Sequence, residues 1–117
     1  MKLFDTSIAI EHIKKGVFEK GAISVITLIE ILRGVASEKR ARVKELLEKV
    51  YSVIDISNNA ILKYCELYSQ LKERGEVLSD ADLLIAATAI AHDFVLVTKD
   101  KDFQRIANYG LKLELRT

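Results

Sequence analysis

Proline is absent from the 117 residues and cysteine occurs once. A lone Cys65 excludes an internal disulfide and a multi-thiolate metal site, and it reads as a small core residue beside Ile61 and Tyr68. Without proline, glycine is the main punctuation between elements. No sign of charge dominates either. With 18 Lys and Arg against 17 Asp and Glu, the formal charge of +1 does not by itself point to a nucleic-acid partner, so local clusters matter more than the total. Long hydrophobic runs are also missing: Leu83 to Ala91 is interrupted by Thr88 and closed by His92 and Asp93, far short of the ~20 residues a bilayer needs. That stretch reads as a buried helix. The first dozen residues include Asp5 and Glu11 and show no secretory pattern, so the expected location is the cytoplasm.

Half of the residues are hydrophobic and 30% are charged, which describes a compact globular chain. At this length one domain over residues 1–117 is expected, with no room for a second core. Short apolar runs at Met1–Phe4, Ala22–Val25, Val53–Ile56 and Phe94–Val97 read as buried strands. Leu111, Leu113 and Leu115 alternate with Lys112 and Glu114 as an edge strand. Between them lie helical patterns: Ile8–Lys15 stopped by Gly16, a helix capped at Thr27 and ending at Gly34, and a polar helix over Ser37–Val50 with Val43, Leu46, Leu47 and Val50 as its stripe. Ser57 or Asn58 starts a long helix closed by Gly75, Ser79-Asp80-Ala81-Asp82 opens the central helix, and Gln104–Tyr109 can form a short one. Strands alternating with helices predict an α/β fold of three layers, with a mainly parallel central sheet and helices on both faces.

In such folds ligands bind at the carboxyl ends of the strands. Asp5 and Asp100 fall just past two of those ends, Asp82 lies where a helix begins, and Glu30 sits among Leu28, Ile29, Ile31 and Leu32. Each acid also has an ordinary reading. Asp5 can cap a helix, Glu30 can pair with Arg33, Asp82 can favour its helix dipole, and Asp100 can belong to a solvated turn with Asp102. Taken together, four acids at the margins of buried elements predict a shared site for a hard divalent cation, magnesium or manganese. Without the cation, their mutual repulsion raises at least one proton affinity. The chemistry that suits such a site is hydrolysis of a phosphodiester, with metal-activated water in place of a histidine base. His12 and His92 accordingly read as helix-end or helix-face residues.

Four segments in order carry a further signal: Leu3-Phe4-Asp5-Thr6-Ser7; Ile23-Ser24-Val25-Ile26-Thr27-Leu28-Ile29-Glu30-Ile31-Leu32-Arg33-Gly34; Asp80-Ala81-Asp82-Leu83-Leu84-Ile85-Ala86-Ala87-Thr88-Ala89; and Leu96-Val97-Thr98-Lys99-Asp100-Lys101-Asp102-Phe103. Through these the chain resembles PIN-domain ribonucleases, specifically toxins of the VapC type. The resemblance implies cleavage of RNA dependent on Mg2+ or Mn2+. It makes Asp5, Glu30, Asp82 and Asp100 the acidic set and Thr98 the hydroxyl residue near the fourth acid. Asp100 is preferred to Asp102 for its spacing from Thr98, and Asp80 is at most an outer group. The resemblance also implies a VapB-type antitoxin as partner and a homodimer. RNA requires positive charge around the site, for which Lys14, Lys15, Lys39, Arg40, Lys99, Lys101 and Arg105 are candidates.

Two other functions compete with this one. The same fold could serve as a catalytically weak module that binds RNA or an antitoxin. A receiver-like phosphoacceptor domain would share an acidic site with Thr98 and Lys99 after a late strand, but it needs an acid pair after the first strand and its phosphorylated Asp after the third. Here Asp5 stands alone and Asp55 lies within a strand-like run.

Overall fold

A computed structural model describes residues 1–117. Five strands, β1 (Lys2–Phe4), β2 (Ala22–Ser24), β3 (Ser52–Ile54), β4 (Val95–Thr98) and β5 (Lys112–Leu115), form one sheet in the order β3-β2-β1-β4-β5. Every neighbouring pair is parallel, so the expected mainly parallel sheet is wholly so. The helices are α1 (Thr6–Lys15), α2 (Val25–Arg33), α3 (Arg40–Val50), α4 (Asn58–Arg74) and α5 (Asp80–Ala91), with 3-10 segments at Ser37–Lys39 and Lys101–Tyr109.

The three layers follow from strand periodicity. Successive side chains point to opposite faces, and both faces must be covered in a parallel sheet, so consecutive residues can both be apolar. Leu3, Ala22 and Leu96 meet Leu67 and Leu71 of α4, Leu83 and Ile85 of α5, and Phe103 and Ile106. Their neighbours Phe4, Ile23 and Val97 turn the other way, onto Ile8 and Ala9 of α1, Leu28 and Ile31 of α2, and Leu47 of α3. α5 buries residues all round, as its composition predicts.

The strand order runs outward from β1 through β2 to β3, then restarts on the other side with β4 and β5. The topological switch point therefore lies between β1 and β4, where the crevice of an open α/β sheet receives its ligand. Asp5 follows β1 there, and Thr98 ends β4. The receiver reading fails on this topology. In that class the third strand is central, in the order 2-1-3-4-5, whereas here β3 is an edge strand and Asp55, just beyond it, is remote from the switch point.

Local chemistry moves several expected boundaries. α2 is capped by Ser24, not Thr27: Ser24 Oγ accepts the amides of Ile26 at 3.1 Å and Thr27 at 3.2 Å. The helix thus starts directly from the strand end, and Thr27 is buried within it. Ser57, not Asn58, caps α4, accepting the Ala60 amide at 3.2 Å. Gly75 closes α4 at φ 67°, the left-handed conformation that ends a helix at least cost for glycine.

Cys65 is exposed, against expectation. The inward row of α4 is Ala60, Tyr64, Leu67 and Leu71, and Cys65 lies one residue, about 100°, off that row. Its neighbours Ile61 and Leu62 are 48% and 69% exposed. On α3, Leu47 is buried and Val43 partly so, while Leu46 and Val50 face outward. That helix packs on α2 and the edge strand β3, leaving less of its stripe covered. No helix is long and apolar enough to cross a membrane.

Candidate active site

Asp5 is 5% exposed and is the most constrained of the acids. Its Oδ1 accepts the Ile8 amide at 3.0 Å, capping α1, and the Ser7 hydroxyl at 2.8 Å, while its Oδ2 accepts the Thr98 hydroxyl. Three of the roughly four acceptor positions of a carboxylate are therefore filled, and the free one is on Oδ2. The capping reading of Asp5 is met, and the same geometry leaves one acceptor position open. Thr98 is fully buried, and its Oγ1 also accepts the Asp100 amide at 3.0 Å. One hydroxyl thus ties the carboxyl ends of β1 and β4 together.

Glu30 points inward from α2, its side chain 22% exposed. Oε1 accepts the Thr6 hydroxyl at 2.6 Å, and Arg33 lies 3.6 Å from Oε2. Thr6 Oγ1 is also 3.1 Å from Thr27 Oγ1. Thr6 has a single hydroxyl proton, so if it donates to Glu30 then Thr27 donates to Thr6, giving a chain that sets the Glu30 rotamer. Sequence reasoning offers only a turn residue in Thr6 and a cap in Thr27, and misses this pairing. The available signal is their occurrence in the same two short segments as Asp5 and Glu30.

Asp82 lies in the first turn of α5, its amide donating to Ser79 Oγ at 3.2 Å as the capping pattern predicts. Burial pushes its carboxyl above the ordinary range, the Ser79 hydrogen bond opposes the shift, and the charges of Asp100, Glu30 and Asp5 add to it. All four acids thus share one electrostatic neighbourhood, and the cost of their repulsion falls on Asp82. Asp100 Oδ1 accepts the Asp102 amide at 2.9 Å, and Asp102 pairs with Arg105 at 3.5 Å. Asp80 is held by the Tyr64 hydroxyl at 2.5 Å, joining α4 to α5.

Arg33 beside Glu30 is the only basic side chain paired with any of the four acids. As they stand, no three carboxylates close around one point. The donor set fits magnesium or manganese nonetheless: hard oxygens with Arg33 as the single basic neighbour, arranged openly enough for an ion that keeps several of its waters and takes substrate phosphate oxygens as ligands.

The upward shift of Asp82, from burial first and from the neighbouring carboxylates second, gives a pH-dependent expectation. A carboxyl whose folded pKa is raised contributes stability below its unfolded pKa and loses it as pH rises through the folded value. Asp82→Asn should therefore raise the melting temperature of the metal-free protein at pH 7, with the advantage disappearing near pH 4. Thermal melts of both proteins across that range check it, and a variant less stable at pH 7 would contradict the upward shift.

The basic candidates divide. Arg40 is committed to backbone, its Nε donating to Leu32 O at 3.0 Å and Val35 O at 2.9 Å at the end of α2. Arg105 pairs with Asp102 and reaches Val77 O. Lys15 and Lys99 both grip Glu11, whose carboxyl they hold down at about 2. Lys14, Lys39 and Lys101 make no ion pair. His12 is buried, with Nδ1 2.6 Å from the Tyr51 hydroxyl and Nε2 2.8 Å from Glu19, which Arg116 also binds. It joins α1 to the start of β3 and the end of β5. His92 caps α5 and stacks on Phe94.

An all-parallel five-stranded sheet with helices on both faces, and with Asp5 and Thr98 meeting at its switch point, defines an open α/β domain of the class that receives its ligand at the carboxyl ends of its strands. The PIN domain model matches residues 2–109, and the chain belongs to the PIN-domain family, among its VapC-type members. It is 38% identical to Ribonuclease VapC1 of Methanocaldococcus jannaschii over 95% of this chain and 85% of that one. Ribonuclease VapC2 of Rickettsia felis is 36% identical over 78% of this chain and 72% of its own. Among solved structures, VapBC-1 from nontypeable Haemophilus influenzae superposes with a TM-score of 0.83 at 27% identity, over 97% of this chain and 96% of that one. VapBC2 from Rickettsia felis, bound to a DNA fragment from its promoter, gives 0.83 at 29% identity, over 99% and 98%.

Proposed function

We propose that the chain acts as a single PIN domain over residues 1–117 and is a metal-dependent endoribonuclease, the toxin of a type II toxin–antitoxin pair. What supports this reading is that Asp5 follows β1 at the β1–β4 switch point, that the charges of Asp100, Glu30 and Asp5 all bear on Asp82, and that Arg33 is the one basic side chain paired with these four acids. These four would hold Mg2+ or Mn2+, which when bound supplies an activated water and stabilises charge developing on the phosphate oxygens. The protein's own part is positioning. Thr98 and the α1 amide fix both oxygens of Asp5, Thr6 fixes Glu30, and the Thr98–Asp100 hydrogen bond sets the turn that carries the fourth acid. Thr98 is a positioning residue.

The similar solved structures are VapBC assemblies, which supports a VapB-type antitoxin as partner. A second copy of the chain and RNA complete the set of partners, with the cytoplasm as the place of action. Purified protein is expected to cut mixed-sequence RNA in magnesium or manganese, leave 5′-phosphates, and stop when the metal is chelated. Undiminished cleavage in excess chelator would overturn the metal-dependent mechanism. A folded protein that binds RNA and cuts none under any metal would instead identify a binding module.

A further inference from the structure

Next to the acidic centre lies a pocket of about 370 Å³ bounded by Ser7, Ile10, Glu11, Lys14, Lys15 and Lys99. Its charge is opposite to that of the centre: three lysines against one carboxylate. The two sites are linked through Ser7 and Lys99. Ser7, in the wall of the pocket, donates to Asp5 Oδ1 at 2.8 Å, and Lys99 lies between Thr98 and Asp100 in the chain.

Glu11 organises this pocket. Its Oε1 accepts Lys15 Nζ at 2.6 Å, one turn along α1, and its Oε2 faces Lys99 Nζ from the end of β4. The Glu11 side chain is 26% exposed, whereas those of Lys15 and Lys99 are 66% and 42% exposed, so the carboxylate sits beneath two ammonium groups that face outward. Each ammonium has three donors, leaving others free beyond the one used on Glu11. Lys14 has no carboxylate partner and adds uncompensated charge. Flexible lysines lose rotamer freedom when they bind an anion, and prior anchoring by Glu11 reduces that loss.

We propose that this pocket is a phosphate subsite, holding a backbone phosphate of the RNA strand beside the one cleaved, with Glu11 as the positioning residue. The proposal rests on the ribonuclease reading above. A polyanion aimed at four carboxylates needs an attractive anchor near them, and phosphate contacts supply much of the affinity for RNA. The pocket is within the size range that accommodates a small-molecule group.

The test uses the full chain and a short, labelled, mixed-sequence single-stranded RNA. Binding is measured in the Asp5→Asn background with magnesium over a range of salt, and cleavage is measured in the native background. Adding Lys14→Gln and Lys99→Gln is expected to weaken binding about tenfold and to flatten the log–log salt slope by about 0.7 for each phosphate that is no longer neutralised. The single variant Lys14→Gln breaks no ion pair, so its share of the weakening is free of folding effects. Lys44→Gln with Lys49→Gln on α3 removes the same charge elsewhere and should leave both quantities near their starting values.

Glu11→Gln separates positioning from bulk charge. Removing a negative charge should tighten binding if charge alone mattered. With Glu11 as organiser, affinity does not rise, and KM for cleavage increases with kcat little changed. Equal weakening in the pocket and α3 variants, or tighter binding by Glu11→Gln, would overturn the proposal. If native protein cuts RNA and the pocket lysines are irrelevant, the subsite falls and the ribonuclease stands. If RNA binds through those lysines and is never cut, the ribonuclease reading falls, and the pocket is an RNA-phosphate site with no cleaved neighbour, which overturns the subsite as proposed. If no RNA binds at all, both fall.

Discussion

Asp5→Asn should reduce RNA cleavage about a thousandfold or more while leaving a folded protein. Loss of metal-assisted charge stabilisation is worth several kcal/mol, and each 1.36 kcal/mol is tenfold in rate. The choice of Asn matters. Asp5 also caps α1 and receives the Thr98 hydroxyl in a buried setting, so alanine would combine the loss of chemistry with the loss of a cap, about 1 kcal/mol, and an unsatisfied hydroxyl, about 1–3 kcal/mol. Asn keeps an oxygen for the Ile8 amide, and its amino group can donate to Thr98 Oγ1, so the cap is retained and the cost is confined to the Thr98 hydroxyl proton that loses its acceptor. Removing one of the charges that act on Asp82 should also leave the metal-free protein no less stable. A native-like melting curve with cleavage reduced by three orders of magnitude is the expected result. A folded Asp5→Asn protein that cuts at the native rate would remove Asp5 from the centre and with it the proposed mechanism.

The proposed acidic set is drawn from the sequence chiefly because two of its members, Glu30 and Asp5, break a local pattern. Glu30 interrupts an apolar helix, and Asp5 closes an apolar strand, so residue type and neighbours alone mark them. The order of strands and helices is legible for the same reason, since alternating buried runs and amphipathic stretches admit few architectures. What escapes depends on direction and partner choice. Ser24 and Thr27 are both competent caps, and only the backbone at the end of β2 decides between them. Cys65 is apolar enough to be buried, but its angular offset from Leu67 and Leu71 turns it outward. Thr6 and Glu11 gain their roles from residues far away in sequence, Glu30 and Lys99. Beyond the presence of Thr6 and Thr27 in the segments that carry Asp5 and Glu30, a single sequence holds no local trace of such pairings.

Gly21→Ala is expected to destabilise the protein by about 2–3 kcal/mol and to lower its melting temperature by roughly 10 °C, the result of overpacking at a rigid contact. A Cβ at this position would lie 2.6 Å from Phe4 Cε2 and 2.8 Å from the carbonyl oxygen of Lys2. Neither neighbour can yield easily. Lys2 belongs to β1, while the Phe4 ring is fully buried, packed edge-on against His12 with centroids 4.9 Å apart and tilted against Tyr51 at 5.9 Å. The gain of about 0.4–1 kcal/mol from stiffening the unfolded chain is too small to offset that clash. The consequence extends to the site, because Phe4 directly precedes Asp5 and moving one moves the other. Gly21→Ala should therefore lose cleavage even at temperatures where it remains folded. Shortening the ring, in Phe4→Leu with Gly21→Ala, should recover part of the stability, giving a coupling between the two positions that residues far apart do not show. A Gly21→Ala protein that melts with the native chain would mean that β1 and β2 can separate without cost, contrary to the packing of Phe4 between them and the aromatic layer.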